Sequence, residues 1–129
     1  MKSKLLMAVL LAVGLGLGSG CVALVAGGAA AGVGAVFYHN GELRTDEAVG
    51  YDQAWDAILA ATKELHYAVV EQNKDPLTAK LTARAPGDKK IEIGLDKVSG
   101  TVSRIKIRVG TFGDKTYSQA ILDTIKRHF

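Results

Sequence analysis

The stretch "LTAKLTARAPGDKKIEIGLDKVSGTVSRIKIRV", residues 77–109, decides the fold. Leu77, Ala79, Leu81 and Ala83 alternate with Thr78, Lys80, Thr82 and Arg84. The same alternation sets Ile91, Ile93 and Leu95 against Lys90, Glu92 and Gly94, and Ile105, Ile107 and Val109 against Arg104, Lys106 and Arg108. A period of two sends successive side chains to opposite sides of a strand, so each segment has one apolar and one polar face. Pro86-Gly87-Asp88 and Ser99-Gly100 carry turn chemistry. Turns this short join antiparallel neighbours.

Working outward, the period changes. Tyr51, Ala54, Trp55, Ile58, Leu59, Thr62 and Leu65 are spaced by threes and fours, which predicts a helix over 51–65 with one apolar face. Asp52 and Asp56 lie in its early turns and Lys63 in its last, the order the helix dipole favours. Glu42–Val49 reads as a first strand and Tyr67–Gln72 as a second. Gly110-Thr111-Phe112-Gly113 is a loop in which Phe112 is expected to fold back onto the core. Asp114 then caps a final helix whose apolar face is Tyr117, Ile121, Leu122, Ile125 and Phe129. The expected order is β-α-β-β-β-β-α. This is an α+β fold: an antiparallel four- to five-stranded sheet with two helices on one face and a wet face opposite.

The N-terminus is built differently. Met1-Lys2-Ser3-Lys4 is a short basic start, Leu5–Leu17 an apolar segment, and Gly18-Ser19-Gly20 a small-residue stretch before Cys21, the only cysteine. That order is the one an export signal requires. The chain divides into a signal peptide (1–20), a glycine- and alanine-rich tether headed by Cys21 (21–40) and a small domain (41–129). "VALVAGGAAAGVGAVF" (22–37) is uncharged and contains Gly28-x-x-x-Gly32. It reads as a flexible tether, a helix that self-associates through small residues, or a membrane span. His39-Asn40-Gly41 reads as a turn at the domain boundary.

Charge must be counted on the processed chain. The full sequence carries 16 basic and 13 acidic residues, and removing Lys2 and Lys4 leaves a net of +1. Nucleic acid is therefore not an expected partner. His39, His66 and His128 lack ligand spacing, so no metal or cofactor is expected. Carboxylates scattered on polar faces nominate no acid–base pair, so no catalytic residues and no enzyme activity are expected. The sharper feature is the outward face of two strands, with Lys80 and Arg84 on one and Arg104, Lys106 and Arg108 on the other. It reads as a solvated surface partly neutralised by Glu92 and Asp96, or as a contact for an envelope protein, anionic lipid or anionic polymer. An apolar cleft beside Trp55, Tyr67 and Tyr117 would instead suit a small ligand or an enzyme, although those aromatics fit a packed core better.

The Gly-Ser-Gly-Cys21 motif resembles the bacterial lipobox, with Gly18 where that motif favours leucine. Together with "YDQAWDAILAATKELHYAVVEQ", the 77–95 hairpin, "SRIKIRVGTFGD" and "ILDTIKRHF", it resembles a family of small bacterial lipoproteins known as a domain of unknown function. Gly50 stands where relatives often have a serine helix cap. A fainter likeness is to the helix-grip domains of a lipoprotein of the outer-membrane barrel-assembly machinery. The resemblance implies lipid attachment at Cys21 and membrane anchoring. Val22, in place of an aspartate, implies the outer membrane, with the domain facing the periplasm. It implies no catalytic residues.

Overall fold

A computed structural model describes residues 33–129; the segment read as an export signal, Cys21 and most of the glycine-rich stretch lie outside the described residues. The element order is β1 (Val36–His39), β2 (Glu42–Glu47), α1 (Tyr51–Glu64), β3 (Ala68–Lys74), β4 (Thr78–Ala85), β5 (Lys89–Lys97), β6 (Ser103–Val109) and α2 (Lys115–Lys126). The strands form one sheet in the order β1-β2-β6-β5-β4-β3, antiparallel throughout. Among the described residues, no helix is long and apolar enough to cross a membrane.

This corrects the expected sheet of four to five strands: there are six among the described residues, and sheet outweighs helix. The additional strand is β1, from the end of the stretch read as tether. Its residues Val-Phe-Tyr-His continue the apolar composition before them, which hides them from a reading by composition. Asn40 and Gly41 take φ of 50° and 79° and fold β1 back onto β2. Paired positive φ values match the right-handed twist of the strands they join, and Asn-Gly is the dipeptide that adopts them most readily.

Alternation then builds the core. Leu43, Leu81, Ile91, Ile93, Leu95, Ile105, Ile107 and Val109 are buried on one face of the sheet. Ala54, Trp55, Ile58 and Ala61 of α1 and Ile121, Leu122 and Ile125 of α2 pack into the same cluster. Helix α1 carries the chain across this face from β2 to the far edge at β3. The meander returns it, leaving β6 beside β2. Ser103 closes that junction by donating its hydroxyl to the Val49 carbonyl at 2.8 Å. The one buried carboxylate of the strands described, Glu47, accepts from the Thr45 hydroxyl at 2.8 Å and has Lys126 at 3.8 Å.

The helix starts differ as their residues dictate. Asp114 accepts from the Tyr117 amide at 2.9 Å and caps α2. Gly50 has no side chain to offer α1, which begins without a side-chain cap.

The 110–113 loop overturns the expectation for Phe112, whose side chain is 93% exposed. Gly110 and Gly113 both take positive φ, 71° and 81°. They lay the loop backbone against the Asn40–Gly41 turn. A Cβ at Gly113 would strike the backbone of Gly41, and one at Gly41 would come within 2.6 Å of the Phe112 carbonyl oxygen. The loop and the turn thus meet backbone to backbone, through Gly41 and Gly113.

Gly113→Ala combines left-handed strain with a backbone collision, and should destabilise the domain by at least about 2 kcal/mol. Gly110→Ala, where no atom lies within 4 Å of the added methyl, should cost only about 1 kcal/mol. Urea denaturation of the two variants checks the difference, and equal losses would show that the glycine contact is unimportant.

Candidate functional site: a charged groove on the open sheet face

Both helices occupy one side of the sheet, so the even-numbered residues of β4, β5 and β6 face away from them. Register arranges these residues in rows across the strands. One row runs Asn73, Lys80, Gly94, Lys106, Arg44 and Phe37. On one side lies Glu71, Thr82, Glu92, Arg108, Glu42 and His39. On the other lies Thr78, Asp96, Arg104 and Asp46. A largely basic row is thus flanked by two rows in which acids and arginines alternate.

A groove of about 490 Å³ crosses this face. Gly94 forms part of its floor, where the missing side chain leaves room for Lys106; an added Cβ would lie 3.1 Å from the Lys106 Cε. Lys80 and Lys106 stand either side of Gly94. Glu42, Glu92, Asp96 and Arg108 continue the lining, and Glu71, Asn73 and Asp75 close it on the β3 side.

Of the residues singled out from sequence, Lys80, Lys106 and Arg108 line the groove. Arg104 lies one row away, and Arg84, near the end of β4, reaches into the β4–β5 turn, where it donates to the Asp88 carbonyl at 3.2 Å. Cys21 falls outside the described residues. The cations do not form a bare stripe. Lys80 lies 3.5 Å from Glu92, Lys106 lies 2.9 Å from Asp96, and Arg104 grips Asp46 through two bonds of 2.7 and 2.9 Å. Arg108 donates to the Asn40 carbonyl at 2.9 Å. The carboxylates Glu42 and Glu71 escaped the sequence reading because they come from β2 and β3, whose places beside the meander are fixed only by long-range pairing.

Electrostatics follow from this interleaving. The Arg104 guanidinium, bonded to Asp46, holds that carboxyl below its usual range against the opposing effect of partial burial. For Glu92, burial pushes upward, and Lys90 and Lys80 together outweigh it, so this carboxyl too sits low. Both are therefore charged at neutral pH. Among the described residues no group of three or more acids, histidines or cysteines is placed to hold a metal. A single-contact pair with an exposed partner, such as Lys80–Glu92, is worth only about 0–1 kcal/mol, so a partner's charges can replace it at small cost.

A second hollow, about 400 Å³ and mostly apolar, lies between the end of α1 and α2. It is lined by Leu65, Tyr67, Tyr117 and Ile121 among others. Trp55 is not among them; it is packed in the core. Burial and the neighbouring Tyr117 hydroxyl push the Tyr67 hydroxyl well above its ordinary range, so Tyr67 is neutral at physiological pH.

Because Asp46 is held low in the folded chain, the Asp46–Arg104 pair stabilises fully above the free carboxyl's range, near pH 4. That stabilisation is lost as pH falls through the lower folded value. Arg104→Gln should move the Asp46 titration back toward an ordinary aspartate, as read by carboxyl NMR, and should flatten the acid limb of the stability profile. An unmoved titration would assign the shift to another group.

No curated protein matches the chain. Residues 4–128 match the family model described as Protein of unknown function (DUF3568), and the chain belongs to that family.

Proposed function

We propose that this chain is a lipid-anchored envelope protein whose α+β domain is a binding module rather than an enzyme, and that it meets its partner through the open sheet face. The observation that carries the binding role is the groove. A face left uncovered by both helices holds a depression of about 490 Å³ lined by cations and carboxylates together. Such a lining suits a partner that carries both signs of charge or many hydrogen-bonding groups, such as an envelope protein segment or a cell-wall polymer. It suits a purely anionic surface less well. The role rests on many weak, replaceable ion pairs, which steer encounter and set orientation more than they hold a complex together.

The anchor is supported by the sequence before the fold. A basic start, an apolar segment and small residues precede Cys21, and the family match takes in this region from residue 4. Acyl chains on the Cys21 thiol confine the domain to a membrane surface, where several chains hold persistently and one only marginally. Confinement raises the domain's effective concentration toward partners on the same surface. With Val22 after the cysteine, the proposed address is the outer membrane, facing the periplasm. A second reading, binding of a small apolar ligand, draws on the hollow beside Tyr67 and Tyr117.

Two measurements test this. Mass spectrometry of the membrane-extracted protein should find an N-terminus at Cys21 carrying acyl chains; an intact Met1 and a free thiol would remove the anchor. A photo-crosslinking residue at Thr82, within the groove, should capture an envelope component in living cells. The same residue at Asp123, exposed on α2, should not. Equal capture at both positions, or none at Thr82, would remove the groove as the contact surface.

A further inference from the structure

Phe112 and Phe37 are the most exposed of the large hydrophobic side chains described, at 93% and 66%. Both lie along the β1 edge of the sheet. Phe37 lies on β1, the first strand after the glycine-rich stretch. The Phe112 backbone packs on the Asn40–Gly41 turn that ends β1. Beside them, Phe37, His39, Asn40, Glu42, Arg44 and Arg108 line a hollow of about 460 Å³. Arg44 is paired with Glu42 at 2.8 Å. Arg108 makes its bond to a backbone carbonyl, leaving a cation here with no carboxylate bonded to it among the described residues.

We infer that this edge is a membrane-docking edge, which seats Phe112 and Phe37 in the headgroup region of an anionic bilayer with Arg108 against lipid phosphates. The inference rests on the lipid-anchor reading. Three considerations select a bilayer over a second copy of the chain. Two phenylalanines and Val36 are too little apolar surface for a stable dimer, which buries about 1,200–2,000 Å². A bilayer needs far less from a domain already tethered to it, because the tether supplies the encounter. The chain length also agrees: fifteen residues lie between Cys21 and Phe37, and among the described elements β1 is the nearest to Cys21 along the chain. Rings at the headgroup level with an arginine beside them match the chemistry of that layer.

The test uses the full chain, processed in cells, extracted and reconstituted into vesicles of phosphatidylethanolamine and phosphatidylglycerol. Tryptophan is placed at the loop by Phe112→Trp, or at the far edge of the sheet by Leu77→Trp as an exposed reference; buried Trp55 gives a constant background. On vesicles the Phe112→Trp emission should shift to the blue, lose most of its iodide quenching and gain quenching by brominated lipid, while the Leu77→Trp emission stays open to iodide. Equal iodide access in the two variants on vesicle-bound protein would overturn the inference and leave the anchor standing. Protection from iodide without quenching by brominated lipid would assign the edge to a second copy, and also overturn it. Failure to float with vesicles would overturn the anchor reading, and this inference with it.

Discussion

The pairing of β2 with β6 is the contact on which the rest of the structure depends. It joins Glu42–Glu47 to Ser103–Val109, segments about sixty residues apart, with Leu43 opposite Ile107 and Thr45 opposite Ile105. Without it β1–β2 would part from the β3–β6 meander, and α2 would lose the part of its floor that β2 supplies. Its register also decides chemistry. A slip of one residue would reverse the facing of every β2 side chain, carrying Leu43 to water and Asp46 away from Arg104. The core, the bidentate ion pair and the groove are thus set by one alignment. The Ser103–Val49 bond helps to fix it by closing the sheet onto the start of α1.

What the sequence revealed depended on how local the cause was. The β4–β6 alternation and the 51–65 periodicity were legible because period alone fixes which face each residue takes. Asp114 was legible as a cap because its partner is three residues away. β1 was not, since its apolar residues merge with the run before them and its pairing signal lay in Asn40-Gly41, which also reads as a linker turn. β3 was legible as a strand but not as an edge. A bulge between Val69 and Glu71 shifts its register, and all seven residues are exposed. The exposure of Phe112 was illegible for a similar reason: it follows from a glycine contact made by a loop and a turn seventy residues apart.

The charged face shows why cations counted along a chain mislead. Lys80, Arg104, Lys106 and Arg108 share a face, as alternation requires, but neighbouring strands place Glu92, Asp96, Asp46 and Glu42 between them. The resulting potential is patterned rather than uniformly positive. A patterned face discriminates among partners better than it attracts them, because a ligand of one sign gains at some positions and loses at others. The groove at Gly94 adds shape to that pattern.

On the proposed lipid anchor, the domain would present its surfaces unequally to the membrane, with the β1 edge set nearest it. The chain joins at β1, one edge of the sheet, and β3 forms the opposite edge. If the β1 edge rests on the bilayer, the sheet stands away from it and β3 points into the compartment. The groove lies between, reaching from Glu42 near the β1 edge to Glu71 and Asp75 near the β3 edge. It would then open sideways to the membrane normal, accessible to a component spanning outward from the membrane and hidden from neither side by the helices. An edge that merely swung on its tether would sample all orientations, and much of the benefit of confinement would be lost to rotation. The proposed docking through Phe37 and Phe112 would remove that freedom with two side chains that lie outside the core.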